Sequence, residues 1–315
     1  MAKHNYIILN GQVVDEPKII KNQNNVSTRA ILKLKVIRGV RDIGNNISHI
    51  KYDFPVIMSG NAEIIKIAEK VNSGDMVEVK GSITTKNVKK TISCPHCGFK
   101  NKQNGVVVFV NPIYLNVREK KVSIEKGIEF LKQRCEISNQ ATLIGPLCRD
   151  IQSFKLDSGL IITTYQMAVR RKFKILDDSA ENRVDFPWIK SYGSIAVKDA
   201  ESLKKGSYVF IDGMVQTREI SKKTLCSQCN QEFNWKDANM EVVPYAVEYL
   251  RDYNTEEDIK KKEKEEQLKA LRDVFDEDFI DNEKPNEVPK FEFKEADDSN
   301  EIENKDDLKK FILGE

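Results

Sequence analysis

Apolar and polar residues alternate along several short stretches of this chain, as they do in strands that bury one face. Between positions 30 and 38, Leu32, Leu34 and Val36 alternate with Lys33 and Lys35. The main runs of this kind are NYIILNGQVV (5–14), AILKLKVIR (30–38), MVEVKGSIT (76–84) and YVFIDGMVQ (208–216). These runs predict a mainly β protein.

Three other stretches space their apolar residues as one face of a helix does: 61–71, 123–134 and 195–203. The first and third run into polar turns that contain a glycine, which is typical of the C-terminal end of a helix. Further along, Thr255-Glu256-Glu257-Asp258 resembles a capping box and predicts a charged helix that continues to about residue 275.

The stretch from Asp185 to Cys229 repeats the stretch from Asp53 to Cys97. DFPWIKSYGSIAVKDAESLKKGSYVFIDGMVQTREISKKTLCSQC aligns without a gap with DFPVIMSGNAEIIKIAEKVNSGDMVEVKGSITTKNVKKTISCPHC, at a constant offset of 132 positions. Turn glycines, an alanine in the predicted helix and two CxxC motifs all keep this offset. The chain therefore consists of two copies of one domain.

Each copy has the same predicted order of elements: three strands, a short helix and two strands. Gly11 and Gly145 interrupt the first strand, and Gly81 and Gly213 the fourth, and a glycine inside a strand marks a bulge or bend. This order is that of the OB-fold, a five-stranded barrel whose second and third strands and long loops bind oligonucleotides. The expected segments are a barrel at 1–120, a helical linker at 121–138, a barrel at 139–252, a charged helix at 253–275 and a disordered acidic tail at 276–315.

The predicted second and third strands carry the candidates for nucleic-acid binding. Aromatic rings interleaved with a lysine on one face suit the stacking of unpaired bases beside their phosphates, and both copies end strand two in a basic cluster. The candidates are Lys33, Lys35, Arg38, Tyr52, Phe54, Arg170, Arg171, Lys172, Phe173, Phe186, Trp188, Lys190, Tyr192 and Arg218. Two other interpretations stay open: the rings fill the barrels, and the lysines form an ordinary solvated face.

The two copies differ at the third strand. Where the second copy has Trp188 and Tyr192, the first has Val56 and Gly60. We therefore expect the first copy to bind bases less well and to depend on Tyr52.

The chain resembles the bacterial single-stranded-DNA-binding protein family in several short motifs. The run LKKGSYVFIDGMVQTRE (203–219) is similar to the strand after the helix in that family, Tyr192-Gly193 to its aromatic–glycine pair, and ILNGQVVDEP (8–17) to its opening strand. Asn61-Ala62-Glu63 resembles the start of its helix. The resemblance covers most of 5–118 and 139–250, and some members carry two OB-folds. It implies wrapping of single-stranded DNA without sequence preference, although the family typically lacks the cysteines.

Cys94-Pro95-His96-Cys97 and Cys226-Ser227-Gln228-Cys229 stand at equivalent places in the two copies. Each CxxC supplies two thiolates, and four thiolates make a closed tetrahedral zinc site. We expect one structural zinc shared by Cys94, Cys97, Cys226 and Cys229, within one chain or between chains. A disulfide is the alternative, which a reducing cytosol disfavours. Cys135, in a predicted helix, and Cys148, in a predicted strand, are expected to be small buried residues, and His96 to be exposed.

The net charge of +2 conceals an uneven distribution. Residues 276–315 contain 15 acidic and 6 basic side chains, which leaves 45 basic and 34 acidic on the first 275. A basic body indicates a polyanionic partner, and the acidic tail has a separate role, as a competitor for the empty grooves or as a recruiter of replication or recombination proteins. No apolar run approaches membrane-spanning length and no signal-type start is visible, so we expect a cytoplasmic protein without membrane contact.

The function that these features favour is sequence-independent binding and protection of single-stranded DNA during replication, recombination or repair. No nucleophile set, phosphate-binding glycine loop or metal-activated water site is visible, so we do not expect an enzyme. Two alternatives stay open: an accessory replication or recombination factor that acts mainly through protein contacts, and an RNA-binding OB protein. The sequence leaves undecided whether the chain forms a homodimer.

Overall fold

A computed structural model describes residues 4–38, 50–172 and 183–277, and within these ranges it contains fifteen strands and five helices. Residues 1–263 form one compact unit that includes both repeats. The elements of the first repeat are β1 (His4–Val13), β2 (Lys18–Lys21), β3 (Ser27–Ile37), β4 (Tyr52–Asp53), β5 (Val56–Ser59), α1 (Ala62–Ala68), β6 (Met76–Ser93) and β7 (Lys100–Glu119).

The second repeat has the same order of elements after two linking helices. The linking helices are α2 (Ile124–Gln133) and α3 (Cys135–Ser138). The elements of the repeat are β8 (Asn139–Pro146), β9 (Gln152–Lys155), β10 (Ile161–Gln166), β11 (Val169–Arg170), β12 (Val184–Asp185), β13 (Trp188–Tyr192), α4 (Gly193–Ser202), β14 (Tyr208–Leu225) and β15 (Glu232–Arg251). A charged helix, α5 (Glu256–Glu277), follows.

Strand pairing closes each repeat into a five-stranded barrel. In the first repeat β1 pairs with β3, β3 with β5, β5 with β7 in parallel, β7 with β6, and β6 with β1 again. The second repeat follows the same circuit through β8, β10, β13, β15 and β14, and a bridge between Leu147 and Met167 closes it. The predicted mainly β protein with two OB-folds is confirmed.

The mid-strand glycines are required by close backbone approach. A Cβ at Gly81 would lie 2.3 Å from the carbonyl oxygen of Asn111, and a Cβ at Gly213 would lie 2.3 Å from that of Val243. At both positions the pairing register shifts, as it does at a β-bulge. The bulge bends a long strand so that it can close the barrel.

The two barrels join through one continuous sheet, because β1 pairs with β8 as well as with β6. Ile7 pairs with its own counterpart Ala141, so the strands are related by an approximate two-fold axis at this pair. Apolar side chains of both barrels, Leu9 and Leu143 among them, pack in one core cluster. The two copies thus form a single packed body.

The linker is a packed helix, as its apolar spacing predicts. The side chain of Ser123 caps α2 by accepting a hydrogen bond from the backbone N–H of Lys126. Leu131 is fully buried in a small cluster with Ile37 and Met76 of the first barrel. The predicted capping box of the last helix is also present, since Asp258 N–H donates to Oγ1 of Thr255 at 3.3 Å.

Some expectations need correction. The apolar pattern predicts last strands at Val106–Val117 and Met240–Tyr249, but these strands begin earlier, at Lys100 and Glu232, because the hairpins β6–β7 and β14–β15 extend beyond the barrels. Cys148 lies just after β8 rather than in a strand, and both it and Cys135 are only half-buried. The predicted tail lies outside the described residues from position 278 onward. Of the helices in the described ranges, none combines the length and apolar character needed to span a bilayer.

Candidate nucleic-acid interface and metal centre

The outer face of the second barrel carries the predicted aromatic row. Along 186–192 the side chains alternate, so that Pro187 and Ile189 are buried while Phe186 and Trp188 lie on the surface. Phe186 is 45% exposed. The guanidinium of Arg149 lies 5.5 Å from the centre of the Trp188 ring. This arrangement leaves aromatic surface beside positive charge, as base stacking next to a phosphate requires.

The first barrel presents a smaller version of the same face. Phe54 is 38% exposed, with the Lys33 ammonium 5.6 Å from its ring centre. Lys35 lies 4.3 Å from the ring centre of Tyr52. Val56, which occupies the place of Trp188, is only partly exposed. All four residues of these two pairs were among the sequence candidates, whereas a further pair in this barrel, Lys80 and Tyr114, was not.

Two predicted phosphate contacts have a structural partner instead. The guanidinium of Arg38 donates two hydrogen bonds of 2.9 Å to the carboxylate of Asp53. In the second barrel Nε of Arg171 lies 2.7 Å from Oδ2 of Asp185, and Arg171 is only 5% exposed. A buried carboxylate therefore holds the charge of Arg171, which favours a structural role over the predicted phosphate contact. Arg38 is partly exposed, at 22% of its side chain.

The same two aspartates connect each barrel to the other. Oδ1 of Asp53 accepts from the backbone N–H of Thr217 at 2.8 Å, and the N–H of Phe54 donates to Oγ1 of Thr217 at 2.8 Å. The counterparts repeat this pattern, with Asp185 accepting from Thr85 N–H at 2.9 Å. These reciprocal bonds, which we call the Asp–Thr latches, place each exposed Phe beside the root of the opposite hairpin.

The remaining basic candidates differ in their surroundings. Arg170 and Lys172 are exposed, and Phe173 lies outside the described residues. Arg218 donates to Oε2 of Glu241 at 3.0 Å. Lys190 lies on the aromatic face as predicted, 5.7 Å from the centre of the Tyr192 ring, but it is buried. Burial lowers the pKa of Lys190, while the Glu241 carboxylate acts in the opposite direction.

One aromatic residue of this face was missed. Phe154 on β9 pairs in register with Ile162, which pairs on its other side with Tyr192, and Phe154 is 46% exposed. Since paired residues share a face, the row of exposed rings extends to the edge of the second barrel. The sequence does contain a signal for Phe154. It is the hairpin SFKLDSGLII, in which the turn Asp157-Ser158-Gly159 sets the register of the two strands.

The hairpins β6–β7 and β14–β15 run beyond the barrels as two paired arms. Lys90 of the first arm and Lys222 of the second both bind the carboxylate of Asp237, Lys222 at 2.6 Å. Nε2 of Gln103 donates to Oγ1 of Thr224 at 2.8 Å. The contacts of Lys90 with Asp237 and of Gln103 with Thr224 cross from one arm to the other, so the arms support each other along their length.

The four CxxC cysteines meet where the arms end. Their sulfur atoms all lie within 4.8 Å of one another, with Cys94 to Cys229 at 3.8 Å and Cys97 to Cys226 at 3.6 Å. A tetrahedral centre with zinc–sulfur bonds of about 2.3 Å separates its sulfurs by about 3.8 Å. The four side chains therefore fit a metal ion within one chain.

Backbone geometry prepares each CxxC turn for a metal. Gly98 and Asn230, one residue after each motif, both have positive φ, at 72° and 54°. The turns that they close aim amide groups at the sulfurs. Hydrogen bonds from the backbone of Cys229 lower the pKa of Cys226 to about 6, although burial acts against this. Such amide bonds favour the thiolate, the form that binds metal. His96 is exposed, as expected.

Several known proteins are similar to part of this chain. A sequence model of the Single-strand binding protein family matches residues 138–242. The Single-stranded DNA-binding protein of Helicobacter hepaticus is 36% identical over 75 residues, which cover 24% of this chain and 44% of that protein. Single-stranded DNA-binding protein A of Bacillus subtilis is 34% identical over 85 residues, 27% of this chain and 48% of the relative. The chain thus spans just under half the length of these two relatives.

Solved structures extend the likeness to both barrels. The wild-type single-stranded DNA binding protein from Thermus aquaticus matches 80% of this chain and 95% of its own, with a TM-score of 0.53 and 13% identity. A deletion mutant of that protein matches 81% and 100%, with a TM-score of 0.55 and 16% identity. At such low identity the likeness concerns the fold alone. The second repeat, at residues 138–242, is thus similar in sequence to the single-strand binding protein family.

Proposed function

We propose that this protein binds single-stranded DNA without general sequence preference and protects it. The observation that carries the proposal is the pair of outward aromatic faces, each with cations against its rings, on two barrels that pack as one body. The match of the second barrel to the model of a family of binding proteins supports a function of binding rather than catalysis. The aromatic geometry and the family match both concern the outer face of the second barrel, since the matched residues include Trp188 and Tyr192.

The chemistry of the face favours unpaired bases. An aromatic ring stacks on any base, which gives about 1–3 kcal/mol per base without reading the sequence. A cation held near the same ring can meet the phosphate of the stacked nucleotide. In a duplex the bases already stack on each other, so these rings would add little binding energy for double-stranded DNA. The proposed strand would cross both faces by way of the Asp–Thr latches, where Phe54 and Phe186 stand exposed.

Equilibrium binding of a fluorescent oligothymidine, compared with a duplex of equal length, tests the proposal. We expect the single strand to bind much more tightly at moderate salt. Equal affinity for both would contradict the proposal. Binding of folded RNA alone would favour the RNA-binding alternative, and binding of neither would favour a role through protein contacts.

We also propose that the four-cysteine site holds one structural zinc per chain. Four thiolates with tetrahedral separations suit zinc in a closed site, and neither copy offers a second ligand pair of its own among the described residues. When bound, the ion would hold the ends of the two arms together. It would thereby fix the outer part of the surface that is proposed to bind DNA. Cys94 and Cys97 would supply one half of the site, and Cys226 and Cys229 the other.

The wider cellular role stays a prediction. Roles in replication, recombination or repair follow from single-strand binding, and recruitment of partner proteins would depend on the acidic tail outside the described residues. A cytoplasmic location and a homodimer are likewise expectations that rest on the sequence.

A further inference from the structure

Glu241 is an unusual residue for a DNA-facing surface. Glu241 lies on β15 of the second barrel. Its neighbour Val242 is fully buried in the core and pairs with Ile189 of β13. Because side chains alternate along a strand, Glu241 points to the outer side that carries Lys190 and Tyr192. The equivalent residue in the first barrel is Phe109, so this carboxylate distinguishes the two copies.

One oxygen of this carboxylate lacks a partner within the described part of the chain. Glu241 is 3% exposed, and Oε2 accepts from the guanidinium of Arg218, yet Oε1 is buried without a hydrogen bond. A buried acceptor without a partner loses its hydration and gains nothing in return. A ligand that brings an N–H donor to Oε1 would remove this deficit.

Arg218 and the aromatic row of the second barrel are the neighbours of Glu241 on this face. The parallel pairing of Ile189 with Val242 sets Glu241 beside Trp188, and Tyr192 follows on the same outer face with Lys190 5.7 Å from its ring centre. Burial raises the pKa of the Tyr192 hydroxyl, and the Glu241 carboxylate raises it further. Arg218 and Arg38 act on the same hydroxyl in the opposite direction. Arg218, whose side chain is 39% exposed, binds the other carboxylate oxygen, and such a flexible chain can turn towards a phosphate when DNA arrives.

We propose that Glu241 makes one position of this DNA-binding face selective for a base with an exocyclic amino group, stacked on the aromatic row that carries Trp188 and Tyr192. A carboxylate accepts from N4 of cytosine, whereas thymine presents the O4 acceptor at the same place and would be repelled. Adenine carries the same amino donor on a larger base. The inference rests on the proposed function and adds one selective position to a surface that otherwise ignores sequence.

The ratio of affinities for oligodeoxycytidine and oligothymidine of equal length tests this, at mildly alkaline pH where cytosine strands stay unfolded. In Glu241→Gln the amide can donate to thymine O4, so the cytosine-to-thymine ratio should fall about three- to tenfold. Glu248→Gln, the same change at an exposed position of β15, should leave the ratio unaltered. Glu241→Phe restores the residue of the first barrel, and it should lower the ratio in the same direction.

Two results would overturn the inference. An equal gain of affinity for both strands would mean that Glu241 only competes with phosphates for Arg218. An unchanged ratio and unchanged affinities would mean that the carboxylate is structural. Failure of the wild-type protein to bind either strand would instead contradict the proposed function, and thermal unfolding of each variant separates lost folding from lost selectivity.

Discussion

At the scale of single residues, the two barrels differ most where a base would stack. Trp188 has Arg149 against its ring, whereas Val56 at the same place pairs in register with Lys33 and offers no aromatic surface. Tyr192 likewise corresponds to Gly60. The second barrel should therefore contribute more stacking energy, and the first more charge through Lys33 and Lys35.

Trp188→Ala should weaken oligothymidine binding by about 1–3 kcal/mol, because it removes one stacking platform. Val56→Ala is the matched control at the same place in the first barrel, and it should alter the free energy of unfolding more than binding. Fluorescence titration of both variants measures the effect. Normal binding by Trp188→Ala, with tryptophan emission of the wild-type protein unchanged on DNA addition, would disprove the stacking assignment.

The repeated Asp-Phe-Pro motif has a structural role that the sequence alone does not reveal. Asp53 receives two bonds from an arginine of its own barrel and two from Thr217 of the other. Asp185 has the equivalent partners, Arg171 and Thr85. Sequence patterns find the aspartates, because they repeat. They cannot find the threonines as partners, since that pairing depends on how the barrels join.

Thr217→Val should destabilise the protein by about 1–3 kcal/mol. Valine has nearly the same shape as threonine, so the junction stays packed and the N–H of Phe54 is left there without its acceptor. Thr85→Val should have a similar cost, since it removes the acceptor for Phe186 N–H. Thr91→Val, at an exposed position of the first arm, serves as the control. Urea unfolding gives the three free energies, and equal values for all three would show that the latches contribute little.

At the scale of elements, the arms explain why the predicted strands were too short. The apolar alternation stops near residue 84, and the following KNVKKTIS reads as a polar loop. In the structure this segment remains in β6, because it pairs with β7 and its inner side contacts the second arm. The barrel cores have clear apolar patterns. The arms depend on polar contacts between distant segments, which a single sequence does not display.

Metal analysis of the purified protein tests the site at the arm ends. We expect one zinc per chain, and we expect Cys94→Ser and Cys226→Ser each to abolish it, because each removes one of four ligands in a shared site. Cys148→Ser, at a half-buried cysteine outside the cluster, should retain the zinc. Two zincs per chain, or none in protein prepared under reducing conditions, would contradict the shared site.

At the scale of the whole molecule, the pairing of β1 with β8 fixes the relation of the two barrels. Buried Asn5 and Asn139 support this junction, since each exchanges two hydrogen bonds with the backbone of the neighbouring long strand, at Ile83 and Val215 respectively. The repeat in the sequence predicts two like barrels. It does not predict which strands join the barrels. Apolar residues lie on both faces of β1, so the sequence pattern is compatible with more than one partner strand.

The central claim is that charge and stacking on these joined faces bind a single DNA strand. The salt dependence of oligothymidine affinity tests it most directly, because phosphate contacts release counterions. The logarithm of affinity should fall linearly with the logarithm of salt concentration, with a slope of about 0.7 per phosphate contacted. An affinity that does not change with salt would contradict the account.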